Sequence, residues 1–382
     1  MIAGNSNVMQ SSFTLCLLIS ATLVLTSCSD PVSDVGLDLL EDETSTRIHT
    51  IAPTSFSISS RVDITALASR VLIGSADDPV TGKISANGYL DFEGTFVGSP
   101  SEDITSARLI LTRDYSYGDT LSSVQVTLHP ILNSWDATKL ESSSSLNLGE
   151  PILTTFVLGI RTIIDLPESW IRENENDLKS EDFESIFHGF ALINAGSAQI
   201  VGFNSSNSLS SLEVVSASGT TSYTVSSTYT QVDRMSPEQT PSGFLLFQDG
   251  SGPGIEIVFD FETFDSEPIN GAIFSFPAFT LADFPTPEHF VRSAPDSLQL
   301  FAVPLDESVQ PFIIGVARMD QGEYRFASSI INVFIQSLLF GSQEIRHLEI
   351  RAPLANHSLD AVLFHDQDSG DLSPTLTLIL PP

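Results

Sequence analysis

Apolar and polar residues alternate with a period of two in many short stretches of this chain. Val124-Gln125-Val126-Thr127-Leu128-His129 puts every second residue on one apolar face, and Ala107-Arg108-Leu109-Ile110-Leu111 does much the same. That period predicts half-buried antiparallel strands, with the Tyr-Ser-Tyr-Gly-Asp segment at 115–119 as the turn between them. Further strands are predicted at 223–229, 255–261, 272–276, 298–303, 348–350, 362–364 and 376–380. Short strands punctuated by Gly, Pro, Asn and Asp argue for β-sandwiches. A helical pattern occurs only at 168–187, broken in its middle, and at about 326–340. The two end alike, in Ser185-Ile186-Phe187-His188-Gly189 and Ser337-Leu338-Leu339-Phe340-Gly341, with glycine placed as a C-terminal stop. A strand pair precedes each helix and further strands follow it. The expected fold is therefore mainly β: two tandem, jelly-roll-like β-sandwich domains, at 46–233 and 255–382, each with one inserted or crossover helix. A Pro- and Gly-containing linker at 234–254 joins them.

Composition narrows the function classes. Hydrophobic residues make up 41% of the chain, and 25 Phe supply material for real cores. The net charge of −32 reflects missing base: 48 Asp and Glu face only 16 Lys and Arg, three of them Lys. Binding a phosphate backbone needs clustered Lys and Arg, so nucleic acid is excluded as a partner.

The N-terminus carries the most specific signal. An uncharged run at 13–25 is shorter than the roughly 20 residues a membrane-spanning helix needs, and it fits the apolar core of a signal peptide. It leads into Leu25-Thr26-Ser27-Cys28, which reads as a lipobox: a small residue precedes a cysteine whose thiol takes diacylglycerol and whose new α-amine is then acylated. Residues 1–27 are thus expected to be a signal peptide and 28–45 a lipidated acidic tether bearing Asp30, Asp34, Asp38, Glu41, Asp42 and Glu43. One departure is that no Lys or Arg precedes Arg47, so the usual positive start is missing. Removing the signal also removes Cys16, leaving Cys28 alone, so no disulfide is available and the fold rests on burial. Each buried CH₂ of the acyl chains is worth about 0.8 kcal/mol, so the membrane becomes a partner through the anchor, without a span.

Several short motifs then resemble a family of uncharacterised lipoproteins common in Bacteroidota and their relatives. Cys28-Ser29-Asp30-Pro31 followed by Asp34-Val35-Gly36-Leu37-Asp38 is similar to that family's mature start. Val71-Leu72-Ile73-Gly74 through Asp77-Asp78-Pro79-Val80-Thr81-Gly82 resembles its Gly, Asp-Pro, Gly element. Phe187-His188-Gly189-Phe190 resembles its helix end, and Glu267-Pro268-Ile269-Asn270-Gly271-Ala272 its second-domain entry strand. The resemblance implies an outer-membrane lipoprotein with β-rich domains and no assigned activity. It carries over no binding residue, and the low Lys content departs from the pattern.

Signatures of common chemistry are absent: no H-E-x-x-H, G-x-S-x-G, Walker loop or C-x-x-C occurs. The chain is accordingly expected not to be an enzyme and to need no cofactor. The alternative is a hydrolase of envelope or environmental polysaccharide, since a glycosidase needs only two carboxylates at a set separation. Asp249-Gly250-Ser251-Gly252-Pro253-Gly254 reads as a turn. In 365–371, Asp366, Asp368 and Asp371 place three hard oxygen donors in a short arc suited to Ca²⁺, although the Gly and Glu positions of an EF-hand do not match. Tyr115, Tyr117 and Trp135 are candidates for stacking a glycan, the two tyrosines because they alternate with Ser116, while Trp135 also fits a core position. The expected function is a non-catalytic binding or structural module of the outer membrane, with a glycan or an outer-membrane protein as partner.

Overall fold

A computed structural model describes residues 46–59, 68–141, 143–206, 209–236, 239–250, 254–261, 267–341, 343–353 and 357–382. The expected signal peptide, the Leu25-Thr26-Ser27-Cys28 lipobox and the tether at 28–45 lie outside the described residues. In chain order the strands are β1 (Arg47–Ile51), β2 (Ser55–Ile58), β3 (Arg70–Asp78), β4 (Gly82–Glu93), β5 (Ser106–Asp119), β6 (Val124–Pro130), β7 (Leu153–Val157), β8 (Arg161–Asp165), β9 (Phe190–Gly196), β10 (Gln199–Asn204), β11 (Ser211–Ser216) and β12 (Gly219–Arg234). They continue as β13 (Phe244–Gln248), β14 (Ile255–Val258), β15 (Gly271–Thr280), β16 (Phe290–Val291), β17 (Leu298–Pro304), β18 (Phe312–Ala317), β19 (Met319–Asp320), β20 (Glu323–Ala327), β21 (Ile345–Arg351), β22 (Ala361–His365) and β23 (Thr375–Leu380). The helices are α1 (Glu168–Leu178), α2 (Phe183–Ile186) and α3 (Ser329–Leu339). The fold is mainly β and sandwich-like, as the alternation predicts.

β3 to β12, with β16, form one 11-stranded sheet. Its pairings close into a circuit, β3 with β4, β4 with β12, β12 with β11, β11 with β5, β5 with β10 and β10 with β3. The long strands make this closure geometrically feasible. β12 pairs with β11 over Gly219–Thr224 and with β4 over Thr224–Arg234, with a bulge near Ser227 that lets it turn from one neighbour to the other. Inside lie the alternating residues picked out in the sequence, Leu109, Leu111, Val124, Val126 and Leu128, capped by Trp170, Ile171 and Leu178 of α1 and Phe183 of α2. The remaining strands make a five-stranded sheet (β18-β17-β21-β14-β2) and a seven-stranded one. These two enclose a second core, in which Phe56, Ile257, Leu300 and Leu348 meet Phe274, Phe276, Phe326 and Phe364.

Chain ends and middle are shared more than composition suggested. β1 pairs with β23 and β2 with β14, so two strands inside the range expected for the first domain sit in the sheets otherwise built from 244–380. The stretch expected as a linker, 234–254, contains β13, which pairs with β22 over Phe244–Gln248. Residues 48–380 form one compact unit.

Local signals explain where the helices stop. α3 starts at Ser328, whose hydroxyl accepts the Ile331 N–H at 3.2 Å, and ends just before Gly341 at φ +65°, the predicted glycine stop. Gly189 works differently. α2 has already ended with Phe187 extended; at Gly189 (φ +87°) a Cβ would stand 1.9 Å from the Leu90 carbonyl oxygen, so glycine lets the chain pass against β4. The turn expected at 115–119 is strand instead. β5 runs on to Asp119 because Tyr115, Ser116 and Tyr117 keep the period of two and pair with β10, and Gly118, at φ +102°, accommodates the close pass of Ala198.

Candidate functional site

The outer face of β5 does not meet water along its second half. Tyr117 is fully buried among Leu72, Ile84, Ile200 and Leu359, with Phe290 edge-on at 5.7 Å. Its hydroxyl donates to Asp78 Oδ2 at 2.9 Å and shares a 2.7 Å bond with Thr81 Oγ1. Asp78 Oδ1 accepts the Val80 and Thr81 N–H groups at 2.7 and 3.2 Å and pairs with Arg292 Nη1 at 3.3 Å. Arg292 also donates through Nη2 to the carbonyls of Phe284 and Pro285. Arg234 donates to Thr81 O and to Gln248 Oε1, and Gln248 Nε2 donates to Leu359 O at 3.0 Å. This polar network ties β3, β5 and β12 of the first sheet to β13 of the seven-stranded sheet and to the segments that carry Arg292 and Leu359. Burial, with Asp78 beside it, pushes the Tyr117 hydroxyl far above its ordinary range.

Beside this seam lies a cavity of about 320 Å³, its wall including Arg70, Tyr115, Asp249, Asp296, Ser358 and Asp360. Arg70 lies over Tyr115, its guanidinium carbon 4.9 Å from the centre of the ring. Its Nε and Nη2 donate to Asp114 at 2.8 and 3.3 Å, and Nη1 donates to His357 O at 3.0 Å. The Tyr115 hydroxyl donates to Asp360 Oδ1 at 3.0 Å and accepts the Leu359 N–H at 2.9 Å. Ser358 donates through its N–H and hydroxyl to Asp249 Oδ2 at 2.8 and 2.7 Å. The Asp249 N–H reaches Asp360 O at 2.9 Å, so the wall is braced from both sides. Three carboxylates against one arginine, itself paired with Asp114, leave the cavity net acidic.

Burial pushes the Asp360 carboxyl up to about 6, with repulsion from Asp296 adding to the rise and the Tyr115 and Ser358 hydrogen bonds and Arg70 opposing it. Burial holds His357 down to about 3, with Arg70 adding to the effect, so its ring is neutral at physiological pH. The two act on stability in opposite directions. For His357, stability is present above an ordinary 6.5 and is lost as pH falls towards 3. For Asp360, the fold resists ionisation, so stability is present below an ordinary 3.8 and declines as pH rises through about 6, by about 3 kcal/mol in full. Asp360→Asn should therefore gain stability at pH 7.5 relative to pH 4, by about 2 kcal/mol on the difference between the two conditions. Urea melts of both proteins at both pH values check this, because any pH-independent effect of the substitution cancels. An unchanged difference would show that Asp360 titrates normally.

The residues singled out from sequence separate cleanly. Tyr115 reaches the cavity wall, but half-buried beneath Arg70, and Tyr117 is wholly buried in the seam, so the two do not form an outward stacking platform. The reason is that the β5 face an isolated sandwich would leave to solvent is covered by Phe290 and Leu359. Trp135 is partly buried against Tyr89, Ile131, Ala191 and Tyr229, and its Nε1 donates to His188 O at 3.0 Å. In the 365–371 loop, Asp366 Oδ1 accepts the Asp368 N–H at 3.1 Å and the Ser369 hydroxyl at 2.8 Å, which makes it a turn brace. The Asp371 side chain lies outside what is described. Among the described residues no group of three His, Cys, Asp or Glu side chains is placed to hold a metal ion. Sequence reading missed Arg70, Asp249, Asp296 and Asp360, which are scattered over the chain. The one local hint is an acid, Asp360, set directly before the apolar run Ala361-Val362-Leu363-Phe364. No helix among the described residues is long and apolar enough to cross a membrane. Compared with family models and with curated proteins, the chain matches none.

Proposed function

We propose that the chain is a lipoprotein held on a bacterial outer membrane through Cys28, and that it works as a non-catalytic binding module whose site is the seam cavity. The observation that carries this reading is the cavity of about 320 Å³ lined by Asp249, Asp296, Asp360, Ser297, Ser358, Tyr115 and Arg70. Its volume is at the lower end of the roughly 300–1,000 Å³ of small-ligand sites. Carboxylates accept from hydroxyls, the serines both donate and accept, and the acidic balance repels anions. That chemistry suits a neutral or cationic polyhydroxy compound, such as the end of a glycan. The bracing of Asp360 by Tyr115 and of Asp249 by Ser358 supports a fixed recognition wall.

The test is a glycan array probed with the protein and two variants. Asp296→Asn should weaken retention about tenfold or more by removing one charged acceptor, and Ser297→Phe should abolish it by filling the cavity. Retention unaffected by Ser297→Phe would place the ligand elsewhere. Protease shaving of cells followed by mass spectrometry should leave a triacylated Cys28 peptide in the membrane; an unlipidated Cys28 would remove the anchor from the reading. A second reading, polysaccharide hydrolysis, is favoured by one observation: Asp360, held at about 6, shares the cavity with Asp296, as an acid paired with a carboxylate would. Release of reducing sugar that disappears in Asp360→Asn would select it.

A further inference from the structure

The connection between β7 and β8 forms an apolar point. Leu158 and Ile160 flank Gly159 and are 67% and 72% exposed, and Phe156 and Ile163 continue the surface behind them. Gly159 stands at φ +71° with open space where a Cβ would be, as expected of a protruding turn. Two features separate this point from an ordinary hydrophobic loop. Two of its three carbonyls accept hydrogen bonds from within, since Ile160 O accepts the Arg113 N–H at 2.6 Å and Leu158 O accepts the Thr162 hydroxyl at 3.2 Å. A segment entering a medium without water needs such bonds already made. Its charge is also the reverse of the chain's. No Asp or Glu occurs from Pro151 to Ile164 in a chain of net charge −32, and Arg161 and Arg113 stand beside the turn. Among the described residues neither arginine side chain has an ion pair, despite the surplus of carboxylates.

We propose that the Leu158-Gly159-Ile160 turn is a lipid-contact point, which inserts its apolar side chains among acyl chains while Arg161 and Arg113 meet anionic headgroup phosphates. A convex point of this kind suits a fluid surface, which closes around it, better than a second protein, which would need a matching hollow. Charge agrees: another copy of this chain would bring a net −32, whereas Arg113 and Arg161 offer positive charge to headgroup phosphates at the turn itself. The contact is independent of the Cys28 anchor and would set which part of the protein faces the bilayer.

The experiment uses the mature chain with Cys28→Ser, so that no acyl chain contributes, and sediments it with phosphatidylcholine vesicles with or without phosphatidylglycerol. It is expected to sediment with the anionic vesicles. A Leu158→Ser/Ile160→Ser double variant should bind about tenfold or more weakly, and Arg113→Gln/Arg161→Gln should lose the preference for phosphatidylglycerol. Because Leu158 and Ile160 are exposed, their replacement leaves the fold intact, which a melt verifies. A Leu158→Trp variant should shift its emission to the blue on vesicles. Wild type left in the supernatant, or a double variant that sediments as well as wild type, would overturn the proposal. A concentration-dependent dimer in velocity sedimentation, lost in the double variant, would instead assign the point to a second copy of the chain.

Discussion

Replacing Asp78 by alanine is expected to cost about 3–5 kcal/mol of unfolding free energy, the range found when one member of a buried ion pair is removed. Both side chains of the Asp78–Arg292 pair are almost wholly inaccessible, at 0% and 2%. The alanine variant leaves the Arg292 charge buried with only the Phe284 and Pro285 carbonyls for company. It also strips acceptors from the Val80 and Thr81 N–H groups and from the Tyr117 hydroxyl. Asp78→Asn keeps one oxygen for the Val80 and Thr81 N–H groups but loses the charge and the second acceptor, which Tyr117 uses, so it should fall between wild type and alanine. Urea melts of the three proteins decide the matter. A loss below about 1 kcal/mol for the alanine variant would mean that water reaches Arg292 and that the seam is not dry. Because the network joins the first sheet to β13 of the seven-stranded sheet, the unfolding transition of Asp78→Ala should also broaden or split if the two cores come apart separately.

Phe276→Ala is the second large effect, expected at about 3–5 kcal/mol for a fully buried phenylalanine whose site cannot collapse. Phe276 has no exposed surface and lies 6.1 Å from the Phe56 ring, 5.7 Å from Phe326 and 6.4 Å from Phe364. Those rings come from β2, β20 and β22, held by separate strand pairings, so no single one can move in to fill the void. Phe276→Leu retains most of the volume and should lose clearly less. Thermal melts followed by near-ultraviolet dichroism would report this; equal losses for alanine and leucine would point to lost ring packing in place of a cavity.

The period-two stretches were legible because each strand carries its own evidence. Leu109, Leu111, Val124, Val126 and Leu128 point inward as their spacing requires. The helices were legible for the same local reason, and Gly341 ends α3 as its position predicts. Misreadings arose where a residue answers to a distant neighbour. Gly118 looked like a turn residue, yet it serves a close pass of the chain at Ala198. The pairing of β2 with β14 joins residues some two hundred positions apart, about which composition says nothing.

By itself, the sequence determined the class of fold, the run of short strands, the two helical places and the net charge. All of these are local or additive properties, readable residue by residue. It also carries the lipobox expectation at Cys28. Only the tertiary structure decided that Tyr117 is buried, that Tyr115 braces a cavity, and that Arg70, Asp249, Asp296 and Asp360 share one wall. The physical reason is that an exposed-looking face of β5 becomes interior once Phe290 and Leu359 cover it. Whether a polar side chain faces water or a buried seam is set by which distant strand lands on it, and that contact has no periodicity in the chain.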